Sequence, residues 1–471
     1  MLQNNDSISS NRPEISPGEN MKNKLAMLAP LLSFLLTATV YASEDAPAPQ
    51  TLFKNVNIFN GTDNRLYENH QVLVEGSLIK AISAGTIETK SHATVIDGGG
   101  RTLMPGLIDN HWHVMFSGGT FLQLSQGDDF AVALLAARQA EATLMRGFTT
   151  VRDLGGNSFA VKQAIDTGLY KGPRIYPSGA MISQTSGHAD FRPPNEHPID
   201  SDARLPMLER SGHLLVADGV PDVLKRVREQ LKRGATHIKI SAGGGTKSQF
   251  DPLDVTQYTF EELKASVDAA SDWNTYVAVH AYTPAAVQRS IRAGVKVIEH
   301  GQLLDEETTK MMAEEGIWLS IQPFFAPEDS PLLSLNPITR AKQLEMVKGT
   351  ADAYAYAKKH GVKMVFGTDF ILDPAATELQ GEYITWLETI FGFTPFEALK
   401  QATGNGGELL KLSGPRSVYF EGPLGVIERG AYADIILVNG NPLENLDLVA
   451  DPHTNFDVIM KNGEIFKNKL N

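Results

Sequence analysis

The residues able to do chemistry sit at the ends of short apolar runs spread along the chain. In Pro105-Gly106-Leu107-Ile108-Asp109-Asn110-His111-Trp112-His113, two histidines stand two positions apart. Residues i and i+2 of a strand share a face, so His111 and His113 project together, and neutral imidazoles so placed make half of a zinc site. Two ordinary polar histidines would read the same way. In Thr236-His237-Ile238-Lys239-Ile240 the isoleucines take one side and His237 and Lys239 the other. Tyr276-Val277-Ala278-Val279-His280 separates its valines from His280. Val297-Ile298-Glu299-His300-Gly301 carries His300, and Met364-Val365-Phe366-Gly367-Thr368-Asp369 ends in a carboxylate.

The elements that would position these groups alternate. Thr102–Ile108, Thr149–Arg152, Arg174–Pro177, His237–Ile240, Tyr276–Val279, Lys296–Glu299, Trp318–Ile321 and Lys363–Phe366 read as strands. Helical stretches lie between them, at Ala131–Arg146, Val223–Arg233, Glu261–Trp273, Pro284–Ala293, Glu306–Glu315 and Ala341–Lys359. Eight strands alternating with helices predict an α/β fold, a (β/α)8 TIM barrel. In a barrel the apolar residues of a strand face the outer helices, and catalytic groups gather at the strands' C-terminal ends. Lys239 then faces the interior, where a lone ammonium is costly. Either a salt bridge satisfies it, or its neutral amine has taken up CO₂ to give a carbamate that bridges two metals; burial near dications favours the neutral amine.

Both chain ends are β-rich, with turn signals at Asn60-Gly61, Asn439-Gly440 and Asn462-Gly463. They predict a small β-sandwich domain built from residues 43–104 and 413–471 around a barrel over 105–412. The stretch 183–221, rich in Gly, Pro, Asp and His, is too long for a simple turn and reads as a lid or binding loop.

With PGLIDNHWH, THIKIS, VAVHAY, VIEHG and FGTDF in this order, the chain resembles the metal-dependent amidohydrolase superfamily, in the branch of imidazolonepropionase-like enzymes and Xaa-Pro dipeptidases. That branch includes ochratoxin-degrading amidohydrolases. The likeness runs from about Thr51 to the C-terminus. It implies two divalent metal ions, zinc first among them. His111 and His113 would bind the more buried ion, the carbamate of Lys239 would bridge both, His280 and His300 would bind the second, and Asp369 would be the acid on the last strand. Such a pair, ~3.5–4 Å apart, holds a bridging hydroxide, formed near neutral pH because metal binding acidifies water. Asp369 would orient it, accept its proton and pass it to the departing amine.

Around this set, Tyr282 follows His280 by two residues, and His188 opens the long loop. The resemblance makes both candidate substrate contacts, Tyr282 for a substrate carboxylate. His197, His213 and His237 read as loop polar groups and one inward strand histidine. Arg152 reads as structural, with Asp153 as a candidate partner, and Gly243-Gly244-Gly245 as a tight turn bringing backbone near the metals.

The expected reaction is hydrolysis of the amide bond to a C-terminal amino acid, in dipeptides, N-acyl amino acids or ochratoxin-type amides. A lactonase or phosphotriesterase, or a cyclic amidase, would use the same site. A non-enzymatic binding scaffold is disfavoured because every ligand position is filled. The 471 residues carry 42 Lys plus Arg against 55 Asp plus Glu, a net charge of −13, which argues against nucleic acid as the partner. Small-molecule substrates and a homo-oligomer are expected instead. The absence of cysteine excludes disulfides, thiolate metal sites and a lipid-modified N-terminal cysteine. Residues 1–42 read as a signal peptide with an upstream extension, Met1 or Met21 being the start. Lys22 and Lys24 precede an apolar run from Leu25 to Val40 that is short for a membrane anchor, and Val40-Tyr41-Ala42 suits cleavage after Ala42. The mature protein is expected in the periplasm or medium.

Overall fold

The computed structural model describes residues 48–193, 205–248 and 250–470, and Pro49–Asn471 form one compact unit. The leader at 1–42, His197 and the middle of the 183–221 stretch lie outside the described residues. No helix among the described residues is long and apolar enough to cross a membrane.

In chain order the strands are Gln50–Ile58 (β1), Tyr67–Glu75 (β2), Leu78–Ser83 (β3), Thr94–Asp97 (β4), Thr102–Pro105 (β5), Leu107–Trp112 (β6), Phe148–Asp153 (β7), Arg174–Pro177 (β8) and Met181–Ser183 (β9). They continue with Leu214–Val216 (β10), Ile238–Ser241 (β11), Val277–Ala281 (β12), Val297–His300 (β13), Trp318–Ile321 (β14), Met364–Phe366 (β15), Ile435–Val438 (β16), Phe456–Lys461 (β17) and Glu464–Asn468 (β18).

The two ends of the chain meet in one sheet of order β18-β17-β16-β5-β1-β2-β3, with β4 paired to β1. The sequence predicts a sandwich there; the hydrogen bonding forms one continuous eight-stranded sheet. Alternation builds its core: Phe53, Val72, Val74, Leu103, Ile435, Leu437, Val458 and Met460 pack together on one face. The expected strand Thr102–Ile108 is two strands. β5 pairs antiparallel with β16 in the terminal sheet, and β6 pairs parallel with β7. The change of partner falls at Gly106, whose N donates to Asp434 O at 2.8 Å while Leu107 N donates to Gly147 O at 3.0 Å; a Cβ there would lie 2.1 Å from Thr149 Oγ1, so the close approach requires glycine.

The middle holds two parallel sheets, β6-β7-β8 and β10-β9-β11-β12-β13-β14-β15. Two backbone hydrogen bonds run between them: Thr236 N donates to Pro177 O at 2.8 Å, and Asp369 N to His111 O at 2.7 Å. The region read as one long loop starts on the last residue of β9 and contains the short helix Met207–Arg210, β10 and the start of the helix Gly219–Arg233. Three-residue strands are too brief for periodicity to reveal them.

Helices cover the outer faces. In Gly219–Arg233, Val223, Val227 and Leu231 are buried at a spacing of four, and left-handed Gly234 ends the helix. Pro337–His360 opens on an Asn336 cap with proline in its first turn and closes on left-handed Gly361. Along the strands, Ile238, Ile240, Val277, Val279 and Ile298 pack in the large core they share with the helices. Ala278 and Val297 turn the other way, into an inner cluster with Tyr276, Trp318 and Val365. Lys239 therefore belongs to the inner face, as alternation predicts.

Candidate active site

One cavity, of about 660 Å³, is lined by His111, His113, His188, Lys239, His280, Tyr282, His300 and Asp369. These are all eight residues singled out from the sequence.

Three of the four imidazoles are held through one ring nitrogen, as metal ligands usually are, while His113 Nδ1 is buried with no hydrogen-bond partner. His280 Nε2 is 2.9 Å from Gly244 O, which leaves Nδ1 for a ligand. His300 Nδ1 is 2.7 Å from Gln322 Oε1, which leaves Nε2. His111 Nδ1 faces Glu299 Oε2 at 2.9 Å and Gln322 Nε2 at 3.0 Å. The Nε2 atoms of His111 and His113 lie 3.3 and 3.0 Å from Asp369 Oδ1. Ligand atoms of His111, His300 and Asp369 fall within 4.8 Å of one another.

Electrostatics suit cation binding. Burial holds His113 below the usual histidine range and His280 and His300 well below it, with like-charged neighbours adding to the effect at His280 and His300. Neutral imidazoles are what a metal requires. Burial pushes the Asp369 carboxyl up, but His111 beside it and hydrogen bonds from His111 and His113 outweigh this and keep it ionised. Burial lowers Lys239 to about 8. Its Nζ is buried and has no hydrogen-bond partner. An orphaned amine lining one cavity with buried imidazoles and a carboxylate fits a lysine that would hold cations as its carbamate.

Strand alternation does not account for the whole set. Val297 and Glu299 share the inner side of β13, so His300 should follow Ile298 toward the helices. His300 instead has φ of 79°, and Asp369 has φ of 55°. These left-handed residues swing their side chains into the cavity. Such conformations are costly for residues with a Cβ and collect at functional sites.

Supporting residues were partly missed. Asp109 accepts from His111 N at 3.0 Å, Thr368 Oγ1 at 2.7 Å and Gln380 Nε2 at 2.9 Å, tying β6 to the segment that carries Asp369. Its alternation with His111 and His113 was the available signal. Arg152 does not pair with Asp153. Its guanidinium donates to Glu299 Oε1 at 2.6 Å and to Asn110 O at 2.8 Å. Asp153 instead accepts from Val114 N and Ser158 Oγ. Glu299 and Gln322 had no signal beyond their place next to or on inner strands.

His188 stacks on His280 with ring centroids 3.9 Å apart, and its Nδ1 is 2.7 Å from Ser248 Oγ. Tyr282 stacks on His300 at 5.0 Å. Of the histidines read as ordinary, His237 is fully buried against Tyr276, and His213 is buried with Nδ1 accepting from Asn157 N. The triple glycine is a close approach: a Cβ on Gly244 would lie 1.7 Å from Pro252 O, and one on Gly245 2.0 Å from the His188 ring.

This constellation of strand-end histidines, lysine and aspartate is that of a hydrolase. The amidohydrolase family model matches residues 102–466, and the chain belongs to that family. It is 35% identical over 379 residues to the ochratoxinase of Aspergillus niger, covering 78% of this chain and 75% of that one. A solved amidohydrolase structure superposes with a TM-score of 0.80 at 37% identity, covering 90% of this chain and all of the other. A prolidase solved in complex with N-methylphosphonate-L-proline gives a TM-score of 0.79 at 34% identity, over 89% of this chain and 100% of its own.

Proposed function

We propose that this hydrolytic enzyme cleaves the amide bond to a C-terminal amino acid, in dipeptides or N-acyl amino acids, with ochratoxin-type amides among them. The observation that carries the reading is the partnerless buried amine of Lys239, which lines one cavity together with His111, His113, His280, His300 and Asp369. The likeness to an ochratoxinase and to a prolidase solved with an N-substituted L-proline supports the substrate class.

In this reading His111, His113, Lys239 as its carbamate, His280, His300 and Asp369 hold two divalent cations, zinc first. When bound, these supply a Lewis acid for the scissile carbonyl and acidify water toward neutral pH. The chain's own residues do the rest. Asp369, ionised and a quarter exposed to the cavity, orients the attacking water, takes its proton and returns it to the departing nitrogen. His188 and Tyr282 contact the substrate. Phe116, Phe121, Leu124 and Met181 wall the cavity, accept an apolar side chain and exclude bulk water. The two parallel sheets close as a (β/α)8 barrel through the Thr236–Pro177 and Asp369–His111 hydrogen bonds, beside a small domain built from both chain ends. Cleavage after Ala42 exports the enzyme.

The test is amino acid release from Xaa-Pro and Xaa-Phe dipeptides, N-acyl-phenylalanines, a lactone and a phosphotriester, before and after chelation and with zinc and bicarbonate restored. Metal-dependent release of a C-terminal amino acid is the expected result. Turnover of the lactone or triester alone overturns the amide reading.

A further inference from the structure

Two cavities adjoin at the site. The first is largely apolar, with Phe116, Phe121, Leu124 and Met181 in its wall. The second, of about 830 Å³, carries the amides Gln302, Gln322 and Gln343. Thr246, Lys247, Tyr282, His300, Asp369 and Ile371 line both. Apart from Lys239 on the floor, Lys247 is the lysine or arginine that borders either cavity among the described residues.

The turn that presents Lys247 is locked on both sides. Lys342 Nζ, reaching in from Pro337–His360, donates to Gly245 O at 3.0 Å, Ser248 O at 2.9 Å and Asp251 O at 2.6 Å. Gly245 N donates to Asp251 Oδ2 at 2.8 Å, and Ser248 Oγ meets His188 Nδ1. Lys247 thus has a fixed backbone and an exposed side chain. Nearby acids have other work. Asp251 faces His188 and Lys342, and Asp373 in the second cavity accepts from Ala375 N and Ala376 N. A cation placed where both cavities meet, on a backbone that needs no ordering, is suited to a substrate anion.

We propose that Lys247 is a specificity-determining residue: its ammonium takes the free carboxylate of the amino acid being released, beside Tyr282 at the junction of the cavities. The inference rests on the amide reading and sharpens it. The enzyme should favour N-acyl amino acids over the matching carboxamides, and the preference should depend on Lys247.

The experiment compares N-acetyl-phenylalanine with N-acetyl-phenylalaninamide as substrates for the metal-loaded wild type, Lys247→Met and Lys247→Arg. Calorimetry of phenylalanine binding to each protein supplies a readout independent of turnover. Loss of one charge-assisted contact at an exposed position is worth about tenfold. In Lys247→Met the acid-over-carboxamide ratio of kcat/KM should fall by that factor, through KM of the acid, and phenylalanine should bind correspondingly more weakly. Lys247→Arg should restore most of both. An unchanged ratio and unchanged phenylalanine affinity in Lys247→Met overturn the role of Lys247 while leaving the amide reading intact. Failure of wild type to cleave either compound or any amide of the panel overturns both.

Discussion

Two buried arginine–carboxylate pairs show how one kind of contact serves two ends. Arg152 and Glu299 are both fully buried beneath the cavity, 2.6 Å apart. Arg174 and Asp434 are nearly as buried, with paired contacts of 3.0 and 3.2 Å. The first pair joins strands β7 and β13 and faces His111 across Glu299 Oε2. The second joins β8 to the terminal sheet, with Asn462 Oδ1 accepting from the same guanidinium at 2.8 Å and the Tyr432 ring 3.8 Å below it. One pair steers a candidate ligand; the other fastens the two ends of the chain to the middle. Buried ion pairs contribute little net stability, because desolvation offsets attraction, yet losing one partner is expensive. What each pair contributes is therefore position, and what it positions decides whether its loss is felt in chemistry or in folding.

The largest effect should fall on chemistry alone. Asp369→Asn should lower kcat by about 10²–10⁴-fold, the range for losing a general acid–base group, with most metal retained by elemental analysis. Near-wild-type turnover would remove Asp369 from that role.

Next comes Glu299→Gln, which strands the Arg152 charge. Unfolding free energy should drop by about 3–5 kcal/mol, and metal affinity by about 10–100-fold because His111 loses its orienting partner. Denaturant titration and metal competition read the two separately. A stability loss with unaltered metal affinity would make the two arginine pairs equivalent and break the contrast.

Arg174→Met should cost about 3 kcal/mol, with the metal content and KM of wild type. A raised KM would show that the terminal sheet acts on the site.

The smallest effect is Lys342→Met, which leaves three carbonyls short of a donor. A loss of about 1–2 kcal/mol is expected, accompanied by weaker discrimination between acid and carboxamide substrates as the Lys247 turn loosens.

Much of the site was legible because strand alternation is a local rule. His111 with His113, and Lys239 opposite its flanking isoleucines, follow from period two. The same rule would send His300 outward. A left-handed φ cannot be read from residue types, and it is this φ that makes His300 and Glu299 both inner residues. The partners of Arg152 and Asp109 were equally hidden, since Glu299 is 147 positions from Arg152 and Thr368 is 259 from Asp109. Gly106 looked like the interior of one strand, and only the hydrogen bonds of Gly106 N to Asp434 O and of Leu107 N to Gly147 O show that the chain changes sheets there.

By itself, then, the sequence determined which side chains could bind cations and in what chain order they arrive, because residue type and strand period are local properties. The tertiary structure decided which nitrogen of His111, His280 and His300 remains available, which acid holds which arginine, and where the two cavities meet at Lys247. Those depend on hydrogen bonds between segments far apart in the chain, and burial makes every such polar group find a partner or carry a cost.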